Sequence, residues 1–399
     1  MKISLFLDRI AGRAGGAERV VVNVANQLIT QGYQVEIITY EDTLGRPFYP
    51  LNCNVTLRNL KVTPALKPTK KEIRSKRISK YMERFECTPC LNKFAWFVKN
   101  RDKVNRVTEY FKDNPTDLII GFLPSTFAVT YLVASKLNIK YVLSLHNVPK
   151  EDFENPARWD QNINDKKLRF KALANANANT VILDEFRNYF SESIKDHTYT
   201  VRNFITRPNH KSAPLLNRPK RVIAVGRLAK PKDHTTLISA WSIVHKLCPD
   251  WQLSIYGDGP LKNQLQTQIT RAGLNTSITI HPPTKDIDSE YGDSQIFCIP
   301  SLFEGFGLVT VEAMAHSLPC IGFNSCPGTN RLITSRNGVL IDCSNSEKIN
   351  ALADTLIKVI QNSGLRVKLS AGAHQSAEGY FVENRIQDWF DLVHTILPN

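Results

Sequence analysis

Lys2-Ile3-Ser4-Leu5-Phe6-Leu7, Gly12-Arg13-Ala14-Gly15-Gly16-Ala17-Glu18 and Gln34-Val35-Glu36-Ile37-Ile38-Thr39-Tyr40 open the chain and set its architecture. The first and third are short apolar runs bounded by polar residues, which read as strands. Between them Ala17, Val20, Val21, Val24, Ala25 and Leu28 recur at helical spacing, and Gly32 ends the helix. Strand, helix, strand is a unit whose strands pair in parallel through a right-handed crossover. The glycines between strand and helix let backbone approach a ligand, and the helix start offers N–H groups to an anion. The pattern is not G-x-G-x-x-G, and no acidic residue closes the second strand for a ribose, although Glu41 and Asp42 come just after it. A dinucleotide-dehydrogenase loop and a plain glycine turn therefore both stay open.

The same grammar continues outward. Apolar runs at 118–122, 141–145 and 180–183 alternate with helix-like stretches such as 158–176, the pattern of a parallel sheet covered on both faces. Leu118 to Ser135 is uncharged and near membrane-spanning length, but Gly121, Pro124, Ser125 and Thr126 divide it into strand, turn and helix. Around 204–219 the chain turns polar, with Pro208, Pro214 and Pro219, and reads as a linker. Beyond it the alternation restarts: strand 221–225, helix 234–247, strand 251–256, helix 260–272, strand 278–281, strand 295–299. Two similar α/β domains are expected, with a cleft between the carboxyl ends of their sheets.

A chain of 399 residues, 42% hydrophobic and 22% charged, excludes disordered and fibrous classes. Its net charge of +14 favours an anionic partner, whether nucleic acid, phosphorylated metabolite or acidic membrane. Much of that charge is local, for residues 61–112 hold 15 Lys/Arg against 5 Asp/Glu. The eight cysteines are scattered, several inside apolar runs such as Phe297-Cys298-Ile299, and read as reduced, buried thiols of a cytoplasmic protein. Cys87-Thr88-Pro89-Cys90 lacks the second pair a zinc site needs. Asp8 and Arg9 cut the N-terminal apolar run too short for a signal peptide.

Four further motifs stand out. Gly226-Arg227-Leu228-Ala229-Lys230-Pro231-Lys232 follows a strand and puts three cations in one loop, where Arg and Lys suit a diphosphate; a solvated basic loop is the alternative. Tyr256-Gly257-Asp258-Gly259-Pro260 reads as a structural turn into a helix. In Glu304-Gly305-Phe306-Gly307-Leu308-Val309-Thr310-Val311-Glu312 two carboxylates lie eight residues apart, the first in a loop and the second about a turn and a half into a helix. One reaches a sugar, the other a ribose, while the Gly307 and Leu308 N–H groups meet phosphate; the alternative is a capped helix with Glu312 facing solvent. His146 ends a strand at the cleft rim, as a ligand contact or as a satisfied structural histidine.

Together these residues resemble the retaining glycosyltransferase family 4 (group 1) enzymes of the GT-B fold, and the chain is similar to bacterial capsule, O-antigen and exopolysaccharide transferases over almost its whole length. The resemblance rests on Gly15-Gly16-Ala17-Glu18, His146, Gly226-Arg227-Leu228 with Lys232, Gly257-Asp258-Gly259-Pro260, and Glu304 with Glu312. It implies an α/β architecture of two Rossmann-like doubly wound domains facing across a cleft. Residues 1–205 would bind acceptor and 206–380 the nucleotide-sugar, with a helix in 381–399 packing back toward the N-terminal domain. By the same resemblance Arg227 and Lys232 bind the donor diphosphate, Glu304 the sugar hydroxyls and Glu312 the ribose, with Gly305, Phe306, Gly307 and Leu308 in the donor loop and Gly16 and His146 contributing from the acceptor domain. Glu304, His146, Arg227 and Lys232 are the implied catalytic set. Attack is expected on the front face, the leaving phosphate taking the acceptor proton, so neither a metal, a cofactor nor a D-x-D triplet is expected. The sequence departs from the family at Asp233, where Lys-Gly is frequent, and at Arg331, where Glu is common.

Among such enzymes a UDP-linked hexose or N-acetylhexosamine is the common donor, and a lipid-linked surface glycan the expected acceptor. In region 61–112 the cations are interleaved with Phe85, Phe94, Trp96 and Phe97, as in members that bind anionic lipid. A peripheral enzyme at the inner face of the plasma membrane is the expectation, and a solvated loop the rival. A nucleotide-sugar epimerase or phosphorylase would share the fold. A nucleic-acid-binding protein could use the basic stretch but would leave Arg227, Lys232, Glu304 and Glu312 unexplained, so no nucleic-acid partner is expected.

Overall fold

The computed structural model describes residues 1–62, 89–155, 159–160, 162–210 and 212–398. Chain contacts divide it into two units, Met1–Arg202 with Ile386–Asn399, and Asn203–Arg385.

The first unit is built on a parallel sheet of order β3-β2-β1-β4-β5-β6-β7. Its strands are β1 Lys2–Phe6, β2 Gln34–Thr39, β3 Thr56–Asn59, β4 Leu118–Phe122, β5 Lys140–Ser144, β6 Ala178–Val181 and β7 Thr198–Thr200. Helix Gly16–Thr30 crosses from β1 to β2 and buries Val20, Val21, Val24, Ala25 and Leu28, the apolar stripe of the sequence. The uncharged run resolves into β4 and helix Pro124–Leu137. The helix expected over 158–176 runs Ile163–Ala174, started by the Asn162 side chain accepting from the Asn164 N–H at 2.8 Å. The order reverses between β1 and β4, the switch point where open α/β sheets leave a crevice.

The basic region is described from residue 89, where helix Pro89–Asp113 begins. Residues 63–88, with Phe85 and Cys87, lie outside the described residues. Within the helix Phe94 and Phe97 are exposed, but Trp96 is 1% exposed and donates through Nε1 to Asp165 Oδ1 at 2.6 Å. Trp96 is thus a core residue, because helical phase turns it inward onto Asp165, which Arg169 Nε meets at 2.8 Å.

The second unit repeats the architecture with order β10-β9-β8-β11-β12-β13, in strands β8 Arg221–Val225, β9 Gln252–Tyr256, β10 Ile278–His281, β11 Ile296–Ile299, β12 Cys320–Phe323 and β13 Gly338–Ile341. Its core gathers Leu237, Trp241 and Val244 of helix His234–Leu247 against β8, β9 and helix Lys348–Gln361. The order reverses between β8 and β11, so the loops after these two strands share the switch point.

The stretch 204–219 is not a free linker. Ile205 bridges Phe381, its N–H bonding the Tyr380 carbonyl at 2.9 Å, and Leu215 is buried. Arg218 is buried too, donating to the carbonyls of Ala213, Ser294 and His316. Prolines make this segment look like a spacer, but its apolar side chains and Arg218 tie it to the second unit. The chain crosses between units at 202/203 and again at 385/386, inside helix Val382–Ile396.

Candidate functional site

In the second unit the glycine turn after β9 props the cationic loop after β8. The Gly226 N–H donates to the Tyr256 carbonyl at 3.0 Å, Leu228 N–H to the Asp258 carbonyl at 2.9 Å, and Leu261 N–H back to the Leu228 carbonyl at 3.0 Å. A Cβ on Gly257 would run into the Gly226 carbonyl oxygen, so only glycine lets the two loops touch. On this platform Arg227 is exposed, free to meet a ligand.

Lys232 is not a solvated cation. Its Nζ lies 2.5 Å from Glu304 Oε1 and 2.5 Å from Oε2, and the Ser301 hydroxyl donates to Oε1 at 2.7 Å. The Leu302 N–H on the Pro231 carbonyl, 2.9 Å, ties the two loops together. Asp233 adopts a left-handed φ of 45°, which glycine takes without cost. Its carboxylate turns away to accept from Thr236 at 2.8 Å.

Gly307, with φ 85°, caps helix Leu308–Ala315, no side chain filling its start. Phe306 is buried edge-on against Tyr380, with ring centroids 5.6 Å apart, which fixes the loop between Gly305 and Gly307. Glu312 does not face solvent: it is 6% exposed, and the Tyr291 hydroxyl donates to its Oε2 at 3.2 Å. Tyr291 lies in the short helix Ile287–Gly292, stacked on His316 at 5.6 Å. His316 in turn meets Asp288 and Ser212, each at 3.3 Å. Behind the cationic loop His234 is 4% exposed, and burial, then the Lys232 charge, push its pKa down to about 4. Neither ring nitrogen meets a partner in hydrogen-bonding geometry, although the backbone of Gly226 and Arg227 lies beside it.

Ser301, Tyr291, His316 and His234 were not singled out from the sequence. The expectation of no D-x-D triplet fails: Asp286-Ile287-Asp288 is one, and its Asp288 is engaged with His316. No group of three or more His, Cys, Asp or Glu among the described residues could hold a metal ion.

In the first unit His146 follows β5, its ring flat on Phe122 at 5.2 Å and 8°, with Phe122 stacked on Trp389 of the C-terminal helix at 6.0 Å. Ser144 Oγ lies 2.9 Å from Nε2, and the residue is 9% exposed, so this imidazole is packed more deeply than a rim position implies. Gly16 is the exposed first residue of its helix. The Glu18 carboxylate already lies over that helix start, paired with Arg13 at 3.1 Å, as the helix dipole favours. Of the described cysteines, Cys248, Cys298, Cys320 and Cys326 are buried, while Cys53 is exposed and Cys343 half-buried.

Two family models match, one after the other: glycosyltransferase family 4 over residues 14–207 and glycosyl transferases group 1 over residues 206–376. The chain belongs to these glycosyltransferases. Among its relatives are an uncharacterised glycosyltransferase of Haemophilus influenzae, 27% identical over 97% of this chain and 98% of the relative, and the amylovoran biosynthesis glycosyltransferase AmsD of Erwinia amylovora, 26% identical over 98% and 99%. Solved structures with the same fold include sucrose-phosphate synthase of Thermosynechococcus elongatus, 16% identical with TM-score 0.75 over 99% of both chains. Anabaena Alr3699/HepE in complex with UDP and glucose is 18% identical with TM-score 0.72 over 100% of both chains. The fold is GT-B, and the protein is a glycosyltransferase.

Proposed function

We propose that the enzyme transfers a hexose or N-acetylhexosamine from a UDP-sugar to a hydroxyl of a growing, lipid-linked bacterial surface glycan, with retention of anomeric configuration. The observation that carries this reading is the Lys232–Glu304 pair beside the uncapped helix start at Gly307. A cation, a carboxylate and open N–H groups within one pair of loops suit a ligand that joins a sugar to a diphosphate. Arg227 and Lys232 take the diphosphate, Glu304 accepts from sugar hydroxyls, Glu312 accepts from the ribose, and the Gly307 and Leu308 N–H groups meet phosphate. His146 and Gly16 serve the acceptor side.

In the reaction the bond from the anomeric carbon to the diphosphate oxygen breaks as the bond to the acceptor oxygen forms on the same face. The acceptor proton passes to the departing phosphate, and the cations offset the charge developing there. The relative AmsD, named for amylovoran biosynthesis, and the HepE complex with UDP and glucose support a surface glycan and a UDP-sugar. NMR of the product formed from ¹³C-labelled UDP-glucose or UDP-N-acetylglucosamine tests it: an α-linked sugar is expected, and a β-linked one rejects retention.

A peripheral position at the inner leaflet belongs to the same reading. Lys93, Phe94, Phe97 and Arg101 are exposed, and helical spacing puts them within an arc of about 100° on helix Pro89–Asp113. Exposed Ile163 adjoins them, since Asn162 Nδ2 donates to the Asn92 carbonyl at 3.0 Å. Aromatic rings flanked by cations suit an anionic lipid surface. Among the described residues no helix is long and apolar enough to cross a membrane.

A further inference from the structure

We infer that Tyr291 is a positioning residue for nucleotide recognition, acting through Glu312; this rests on the proposal that Glu312 receives the ribose hydroxyls. Glu312 stands inside helix Leu308–Ala315 on a side chain with three rotatable bonds, and a carboxylate so mounted recognises a pair of hydroxyls only if its plane is held. The Tyr291 hydroxyl holds it through Oε2 at 3.2 Å.

Tyr291 is itself immobilised. It is 0% exposed, its ring stacks on His316 at 5.6 Å and 26°, and it also meets the Phe297 ring edge-on at 6.1 Å. His316 is pinned at both nitrogens, Nδ1 to Ser212 and Nε2 to Asp288, each at 3.3 Å. The path runs from Ser212 and Asp288 through His316 and Tyr291 to the carboxylate, and every member is in the second unit. The hydroxyl also meets the Val309 carbonyl at 3.4 Å, but the Glu312 carboxylate is the nearer acceptor and, being charged, the stronger one.

The test is calorimetric titration of the full chain with UDP and with 2′,3′-dideoxy-UDP, using wild type, Y291F, Y291M and E312A. In wild type UDP binds about tenfold or more tighter than the dideoxy nucleotide, and E312A brings the two affinities close together. Y291F is expected to lower UDP affinity while leaving dideoxy-UDP affinity unchanged, so that the ratio falls about threefold or more. Y291M, which removes the hydroxyl in an aliphatic frame, gives the same fall if the phenylalanine variant does not fold. A ratio unchanged in Y291F, or equal losses for both nucleotides, overturns the positioning role while leaving that of Glu312 intact. A ratio unchanged in E312A overturns the ribose reading itself.

Discussion

Lys232 and Glu304, 72 residues apart in sequence, meet with the ammonium 2.5 Å from each carboxylate oxygen. Glu304 is 7% exposed, and taking away its cation leaves a largely buried carboxylate with Ser301 as its remaining side-chain donor. K232A is expected to lower kcat about 10²–10³-fold, the scale of losing one charge-stabilising donor. Steady-state kinetics with a UDP-sugar checks this, and K232R, which keeps charge but not shape, should recover only part of the rate.

Gly257 presses on the Gly226 carbonyl. G257A must push the Arg227 loop aside, so nucleotide affinity should fall about tenfold or more, with a stability loss of about 1–3 kcal/mol. Calorimetry and urea unfolding read the two effects, and unchanged affinity would show that the loop's place does not matter for the nucleotide.

His234 gives the protein an acid-sensitive spot. Its folded pKa, about 4, lies below the ordinary histidine value of 6.5, so between these values the unfolded chain binds the extra proton. Stability from this group is complete above pH 6.5 and is lost as pH falls toward 4, by up to about 3 kcal/mol. H234L should flatten the slope of unfolding free energy against pH over that window, and equal slopes in both proteins would contradict it.

The strip of Lys93, Phe94, Phe97 and Arg101 predicts flotation with anionic liposomes that weakens at high salt. Each cation near such a surface contributes on the order of 1 kcal/mol. F94S/F97S should reduce flotation while leaving UDP affinity intact, and absence of binding at both low and physiological salt would rule out a membrane-bound enzyme.

The parallel sheets were legible because their signals are local: β8, helix His234–Leu247 and β10 fall where alternation and period put them. Glu304 and Glu312 stood out for the same reason, lying around a glycine pair at a helix start. What holds them was not legible, since Tyr291 reaches Glu312 across 21 residues and Lys232 reaches Glu304 across 72, distances at which no spacing rule operates. Trp96 and Phe97 look alike in a basic stretch, and only the packing of the helix shows that one is core and the other surface. The segment 204–219 carries the prolines of a spacer, yet Leu215 and Arg218 bind it to the second unit through partners far along the chain.

If the second unit binds a nucleotide-sugar through Arg227 and Glu312, calorimetric titration of the purified protein with UDP, GDP and ADP shows it. UDP should bind in preference to the others, and R227A and E312A should each weaken it about tenfold or more. No binding of any of the three nucleotides, or UDP affinity unchanged in both variants, would contradict it.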